Sequence, residues 1–192
     1  MKKQFGKNKA NTIQPTLTAE EQAHILFMAE EEKLAQDVYD ALGDLWDLSI
    51  FDNIANSESN HVSSVEKLAD QYGIDTPSED EGVFINPELQ AMYDNLVAIG
   101  SQSIEDALKV GVAIETLDIE DLLAEMSVTQ NTDLLSTYNK LLSASENHLD
   151  AFSNTLLQQG DSLLPADVAD WLAQETLELQ LVGQSLTTVD VI

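Results

Sequence analysis

Four segments of this sequence carry the same anomaly in the same helical phase. Read in alternating steps of three and four, the first runs Ile25, Met28, Glu32, Ala35, Tyr39 and the second Phe51, Ile54, Glu58, His61, Val65, Leu68. The third runs Ile104, Leu108, Gly111, Glu115, Asp118, Leu122 and the fourth Leu134, Tyr138, Leu141, Ser145, His148, Phe152. Residues so spaced share one face of a helix, so each series is the inward seam of an amphipathic helix. Near the middle of each seam stand carboxylate or imidazole groups, where an ordinary core has Leu or Ile. Buried without partners, such groups cost several kcal/mol apiece. Four helices that repeat the cost point to one shared cationic partner, a metal.

The segments between the seams set the connectivity. Thr18, followed three residues later by Glu21, reads as a capping box that opens the first long helix, with an end near Gly43. The second runs from about Ile50 to Tyr72 and stops at Gly73. A long crossover follows, with Pro77, an acidic run from Ser78 to Gly82, and a short helix that Pro87 opens and Gly100 closes. The third long helix is predicted from about Ser103, capped with Asp106, to Met126, and the fourth from about Asp133 to Gln159, stopped by Gly160. Short, long, short is the connection pattern of an all-α four-helix bundle with one crossover. The expected organisation is a flexible leader over 1–16, the bundle over 17–160 and a C-terminal extension over 161–192. In the extension Pro165, Trp171 and Leu172 suggest one more short helix, while 177–192 fit helix, strand or tail.

The charge balance narrows the partners. Against 35 Asp and Glu stand 8 basic residues, all Lys, and four of those (Lys2, Lys3, Lys7 and Lys9) precede Ala10. Such a surface repels nucleic-acid phosphates and anionic lipid, so neither nucleic acid nor membrane is an expected partner. It attracts divalent cations, though a solvated acidic surface is the commoner meaning. With no cysteine, thiolate zinc sites, iron–sulfur clusters and thiol catalysis are excluded. No apolar run reaches the length of a membrane span, and the basic start lacks the apolar core and cleavage site of a secretion signal. A soluble protein is expected, cytoplasmic or the mature form of an exported one. No catalytic triad and no phosphate loop can be assembled from these residues.

Glu58-Ser-Asn-His61 places a carboxylate and an imidazole one turn apart on the seam, a donor mix that iron and manganese accept. If the four seams converge, Glu32, Glu58, His61, Glu115, Asp118 and His148 form one cage for one or two divalent ions. A buried carboxylate paired with histidine is the plainer reading of any single seam. Tyr39 and Tyr138 lie one heptad from Glu32 and Ser145 and are placed to hydrogen-bond to ligands or simply to be buried with satisfied hydroxyls. Glu21-Gln-Ala-His24 repeats the spacing near a helix start, where His24 reads as a surface or rim residue. The 78–82 acids lack the spaced ligands of a calcium loop and read as a solvated turn.

At these residues the chain resembles the ferritin-like superfamily, and within it the rubrerythrin branch. The phrases Met28-Ala-Glu-Glu-Glu-Lys33, Ile54-Ala-Asn-Ser-Glu58-Ser-Asn-His61, Ala107 to Asp118 and Ser145-Glu-Asn-His148 are similar to an uncharacterised prokaryotic family, domain of unknown function 2202, classed as ferritin-like. The resemblance covers about Leu17 to Gln159. It implies Glu32 and His61 as ligands to a first metal, Glu58 as the bridge, Glu115 and His148 at a second metal, and Asp118 as a further carboxylate. It also implies di-iron carboxylate chemistry: an oxidase, ferroxidase or peroxide-handling metalloprotein fed by an external electron donor. One departure stands out: the superfamily carries a second Glu-x-x-His on the fourth helix, and here the Glu position is Ser145. Glu146 points about a quarter turn away. The loss of that carboxylate leaves an alternative open, a metal-free helical bundle acting as a binding or structural protein. The apolar tail can pack on the bundle or on a second copy in a homodimer.

Overall fold

The computed structural model describes residues 16–76 and 80–187. The expected leader, save for exposed Thr16, lies outside the described residues, as do Ser78 and Glu79 of the acidic run and the last five positions of the tail. Among the described residues the chain is all helix: α1 (Ala19–Trp46), α2 (Ser49–Tyr72), α3 (Pro87–Gly100), α4 (Ile104–Val128), α5 (Thr132–Gln159), a 3-10 turn (Pro165–Asp167) and α6 (Val168–Thr187).

The helix ends follow local chemistry. Thr18 and Glu21 form the expected reciprocal box at the start of α1, which satisfies two backbone donors that the helix leaves free. Ser103 accepts from the Asp106 amide at the start of α4. Gly73 and Gly160 close α2 and α5 at φ of 69° and 90°, a left-handed region where a side chain would be strained. The end of α1 differs from the expectation. Gly43 does not stop the helix, which runs on to Trp46 and closes at Asp47. A Cβ on Gly43 would stand 3.1 Å from Asp52 Oδ1 and 3.3 Å from Phe51 Cβ, so this glycine serves a close approach of α2 instead. The indole of Trp46 then donates to the Gly100 carbonyl at 2.8 Å and ties the extra turn to α3.

Short turns make α1 and α2, and likewise α4 and α5, antiparallel neighbours. Contacts of α2 with α5 and of α1 with α4 close the ring of four long helices. The crossover helix α3 lies over α1 and α4, and α6 packs on α3 and α4. Three residues of α1 strap the crossover down: Glu30 accepts from the amides of Ile85 and Asn86, Asp37 from that of Gly82, and Lys33 reaches the carbonyls of Asp80 and Val83. Lys33 also pairs with Asp37 and sits 4.5 Å from the Phe84 ring centre.

The buried apolar residues form two clusters rather than one. One gathers Ile25, Met28, Val65, Leu68, Leu122 and Tyr138. The other gathers Val38, Tyr39, Phe51, Ile99, Leu108 and Phe152, with Trp171 and Leu172 of α6 packed against it. Between them in the seams lie Glu32, Glu58, His61, Glu115, Asp118, Ser145 and His148. The spacing of α4 from α5 at this level depends on Gly111, where a Cβ would stand 2.5 Å from the Phe152 ring. Gly111→Ala is therefore expected to destabilise the fold by about 1–3 kcal/mol through overpacking, although alanine favours the helix itself. Chemical denaturation of the two proteins measures the difference.

Candidate metal centre

Each long helix contributes to the polar layer because its seam turns inward at the same height. Glu32 (α1), Glu58 and His61 (α2), Glu115 and Asp118 (α4) are buried, and His148 (α5) is nearly so. The structure thus brings all six sequence-predicted side chains into one region. Five of them form two trios that could each hold a metal ion, Glu32–Glu58–His61 and Glu58–Glu115–His148, which share Glu58, while Asp118 belongs to neither trio and lines the cavity beside them.

The sharing is specific to atoms. Glu58 Oε2 lies 2.6 Å from His61 Nδ1, and Glu58 Oε1 lies 2.7 Å from His148 Nδ1. Glu32 Oε2 completes the first trio at 3.1 Å from His61 Nδ1, and Glu115 Oε2 the second at 3.5 Å from His148 Nδ1. The two imidazole rings lie 5.5 Å apart and close to parallel. Despite their proximity, neither Glu58 Oε1 nor His148 Nδ1 has an aligned hydrogen bond, and Glu32 Oε1 and Asp118 Oδ1 are likewise buried without a partner. An octahedral ion with bonds of about 2.1 Å holds neighbouring donors about 3.0 Å apart, close to these separations. Donors near one another but misaligned for a proton between them are what convergence on a third centre produces. The residues present therefore fit a cation chemically: carboxylate oxygens and imidazole nitrogens, several of them orphaned.

Neighbours orient the donors. Tyr39 donates to Glu115 Oε1 at 2.7 Å, and Ser57 lies 3.0 Å from His148 Nε2, which leaves Nδ1 facing the cage. Tyr138 does not reach a ligand; its hydroxyl meets His24 Nδ1 at 3.2 Å. His24 is accordingly half-buried against that ring rather than on open surface. Ser145 is fully buried, donates to the Leu141 carbonyl and stands beside the Asp118 carboxylate. Glu146 is exposed. A small cavity of about 20 Å³ adjoins Glu32, Glu58, Glu115 and Asp118 and holds one further acid, Glu31. Glu31 was missed in the sequence because it lies off the seam in an acidic run that reads as a solvated face. Its Oε2 is buried without a partner.

Without a cation, protons must balance these charges. Burial favours the neutral carboxyl and pushes Glu115 up to about 8 and Asp118 up to about 6. Glu32 and Glu31 rise for the same reason, each with Asp118 as the charge that repels it most. Burial also opposes ionisation of Glu58, but the imidazoles of His148 and His61 outweigh it and hold the carboxyl down at about 2. Burial works against protonated His61 and His148 as well, yet their carboxylate partners lift them to about 11 and about 9.

Comparison with known proteins places this chain among relatives. The model of an uncharacterized protein domain, DUF2202, matches residues 21–178. The uncharacterized protein MJ0754 of Methanocaldococcus jannaschii is 42% identical over 151 residues, which span 78% of this chain and 82% of that protein. A crystal structure of hypothetical protein MJ0754 from Methanococcus jannaschii superposes with a TM-score of 0.76 at 37% identity, covering 85% of this chain and 98% of that one.

The protonation pattern has a measurable consequence. Native metal-free protein holds more protons than the unfolded chain at Glu115 between the ordinary 4.5 and about 8, and at His148 between 6.5 and about 9. Stability is full below the unfolded values and is lost as pH rises through the folded ones, at most about 1.4 kcal/mol per pH unit per proton. The melting temperature of metal-free protein should therefore fall from about pH 4.5 to about 9. Glu115→Gln, which keeps an acceptor for Tyr39 but cannot ionise, should flatten that fall. Melting curves across this range measure both.

Proposed function

We propose that this chain, which belongs to the DUF2202 family of uncharacterized domains, is a ferritin-like metalloprotein that binds one or two divalent ions, iron or manganese, in the core of its helical bundle. The observation that carries the reading is the placement of Glu58, whose two carboxylate oxygens each face a different imidazole in a different trio. One oxygen for each of two centres is the geometry of a bridging carboxylate. In this reading Glu32 and His61 hold one ion, Glu115 and His148 the other, and Asp118 adds a carboxylate at the level where α5 offers only Ser145. Bound there, a pair of adjacent redox ions would supply shared electrons for reduction of dioxygen or peroxide, which would give oxidase, ferroxidase or peroxide-handling activity with an external electron donor.

The protein's own side chains prepare the site. Ser57 and Tyr39 fix His148 and Glu115 in orientation, so ion binding need not order them. The apolar clusters above and below exclude water, which strengthens every charge interaction in the layer. The carboxyls that hold protons in the metal-free state must release them when an ion enters, so binding tightens as pH rises.

A second reading keeps the same residues as a metal-free network in a binding or structural bundle. It is favoured by Ser145, which withholds the second bridging carboxylate, and by the two imidazoles that already flank Glu58. Metal content separates the two. After incubation with ferrous or manganous ion and desalting, wild type should retain ion in stoichiometric amount, Glu58→Ala should retain almost none, and Glu146→Ala should match wild type. Ser57→Ala should weaken affinity by roughly 10–100-fold, the usual effect of losing a partner that orients a ligand. Elemental analysis that finds no ion in wild type, or equal content in Glu58→Ala, overturns the metal reading.

A further inference from the structure

Two hollows meet at one side chain. The cavity of about 20 Å³ beside the carboxylates lies between α1 and α4, and its remaining wall is apolar: Leu34, Ala35, Ile114, Leu117 and Met92. Outside the bundle a surface groove of about 360 Å³ runs between α3 and α6, lined by Met92 together with Glu88, Ala91, Asn95, Leu96, Leu172 and Thr176. Among the described residues Met92 is the one that lines both. It is half-buried on α3, the crossover helix that covers the gap between α1 and α4.

We propose that Met92 gates an entry route by which uncharged, dioxygen-sized molecules pass from the α3/α6 groove to the carboxylate cavity. The side chain suits the task. Methionine is unbranched, with three rotatable bonds, and half-exposed side chains change rotamer rapidly, so the partition opens without movement of a helix. The walls choose the class of traveller. A divalent cation must shed water to pass the half-buried Met92 side chain, which offers only a weak thioether acceptor in return. An anion meets Glu31, Glu32 and Asp118 at the inner end. A small apolar gas meets neither penalty, and the cavity has room for one such molecule or one water. The route rests on the metal-centre reading for what it delivers, but not for its existence.

The test uses metal-free full-length protein, so its outcome is independent of metal content. With Met, Ala and Ile methyls labelled, dissolved dioxygen serves as a paramagnetic probe, and its effect on relaxation reports access at each methyl. Ala35 and Ile114 are each only 5% exposed, and Ala69 and Ala107 are fully buried and do not line the cavity, which makes them internal references. Ala35 and Ile114 should relax severalfold faster than the references when oxygen is admitted. Met92→Trp should bring them down to the reference level, and Met92→Ala should keep or raise their response. Met92→Phe, a smaller block, gives the same comparison if tryptophan disturbs folding. Ala35 and Ile114 responding no more than Ala69, or an undiminished response in the blocked variants, overturns the proposal.

Discussion

Everything at the centre of this molecule depends on the Glu58 carboxylate lying between two imidazoles. His61 comes from the same helix one turn on and costs no tertiary precision. His148 comes from α5, so the 2.7 Å approach to Glu58 fixes the height of α5 against α2. Glu115 and Tyr39 then bring α4 and α1 to the same level through the 2.7 Å hydrogen bond between them. Small residues and large rings are set accordingly. Gly111 lets Phe152 press onto α4, and Phe152 in turn packs 5.1 Å from Tyr39 and 5.5 Å from Phe51, centre to centre. The aromatic floor supports the polar layer without adding a charge to it.

The three acids at 30–32 of α1 show how one turn serves three purposes. Successive helical residues differ by about 100° in direction. Glu30 faces the crossover and holds the amides at the start of α3, Glu31 faces the cavity, and Glu32 faces His61. The strap on α3 and the ligand to the first trio thus share a rigid segment. By reciprocity, whatever steadies Glu32 also steadies the cover that α3 places over the gap between α1 and α4.

Much of this was legible in the sequence, because helices announce themselves in period and in caps. The Thr18–Glu21 box, Ser103 with Asp106, and Gly73 and Gly160 each carry a local reason to start or stop. The seam phase placed the six candidate ligands together since helical geometry leaves no other face for them. What escaped was decided between helices. Gly43 looked like a stop signal and is a contact with α2. Tyr138 looked equivalent to Tyr39, yet its hydroxyl turns to His24, whose distance in sequence gives no hint of the pairing. The 177–192 stretch has weak patterning of its own, and helix α6 continues through it to Thr187. Ser145 was recognised as a departure, but its neighbour Asp118 was visible beside it only in three dimensions.

The division of the apolar core has a further consequence for cooperativity. Hydrophobic contact spreads unfolding from residue to residue, and a layer of polar side chains interrupts that spread. The end built on Ile25, Val65, Leu122 and Leu134 has few apolar ties to the end built on Val38, Phe51, Leu108 and Phe152, which α3 and α6 also brace. Two such halves can open with separate free energies, and the less braced one sets the lower limit. A cation bound by donors from four helices would add a tie common to both halves, so that amide exchange in the two converges on a single value. The same residues that divide the core would then decide whether the bundle behaves as one folding unit or two.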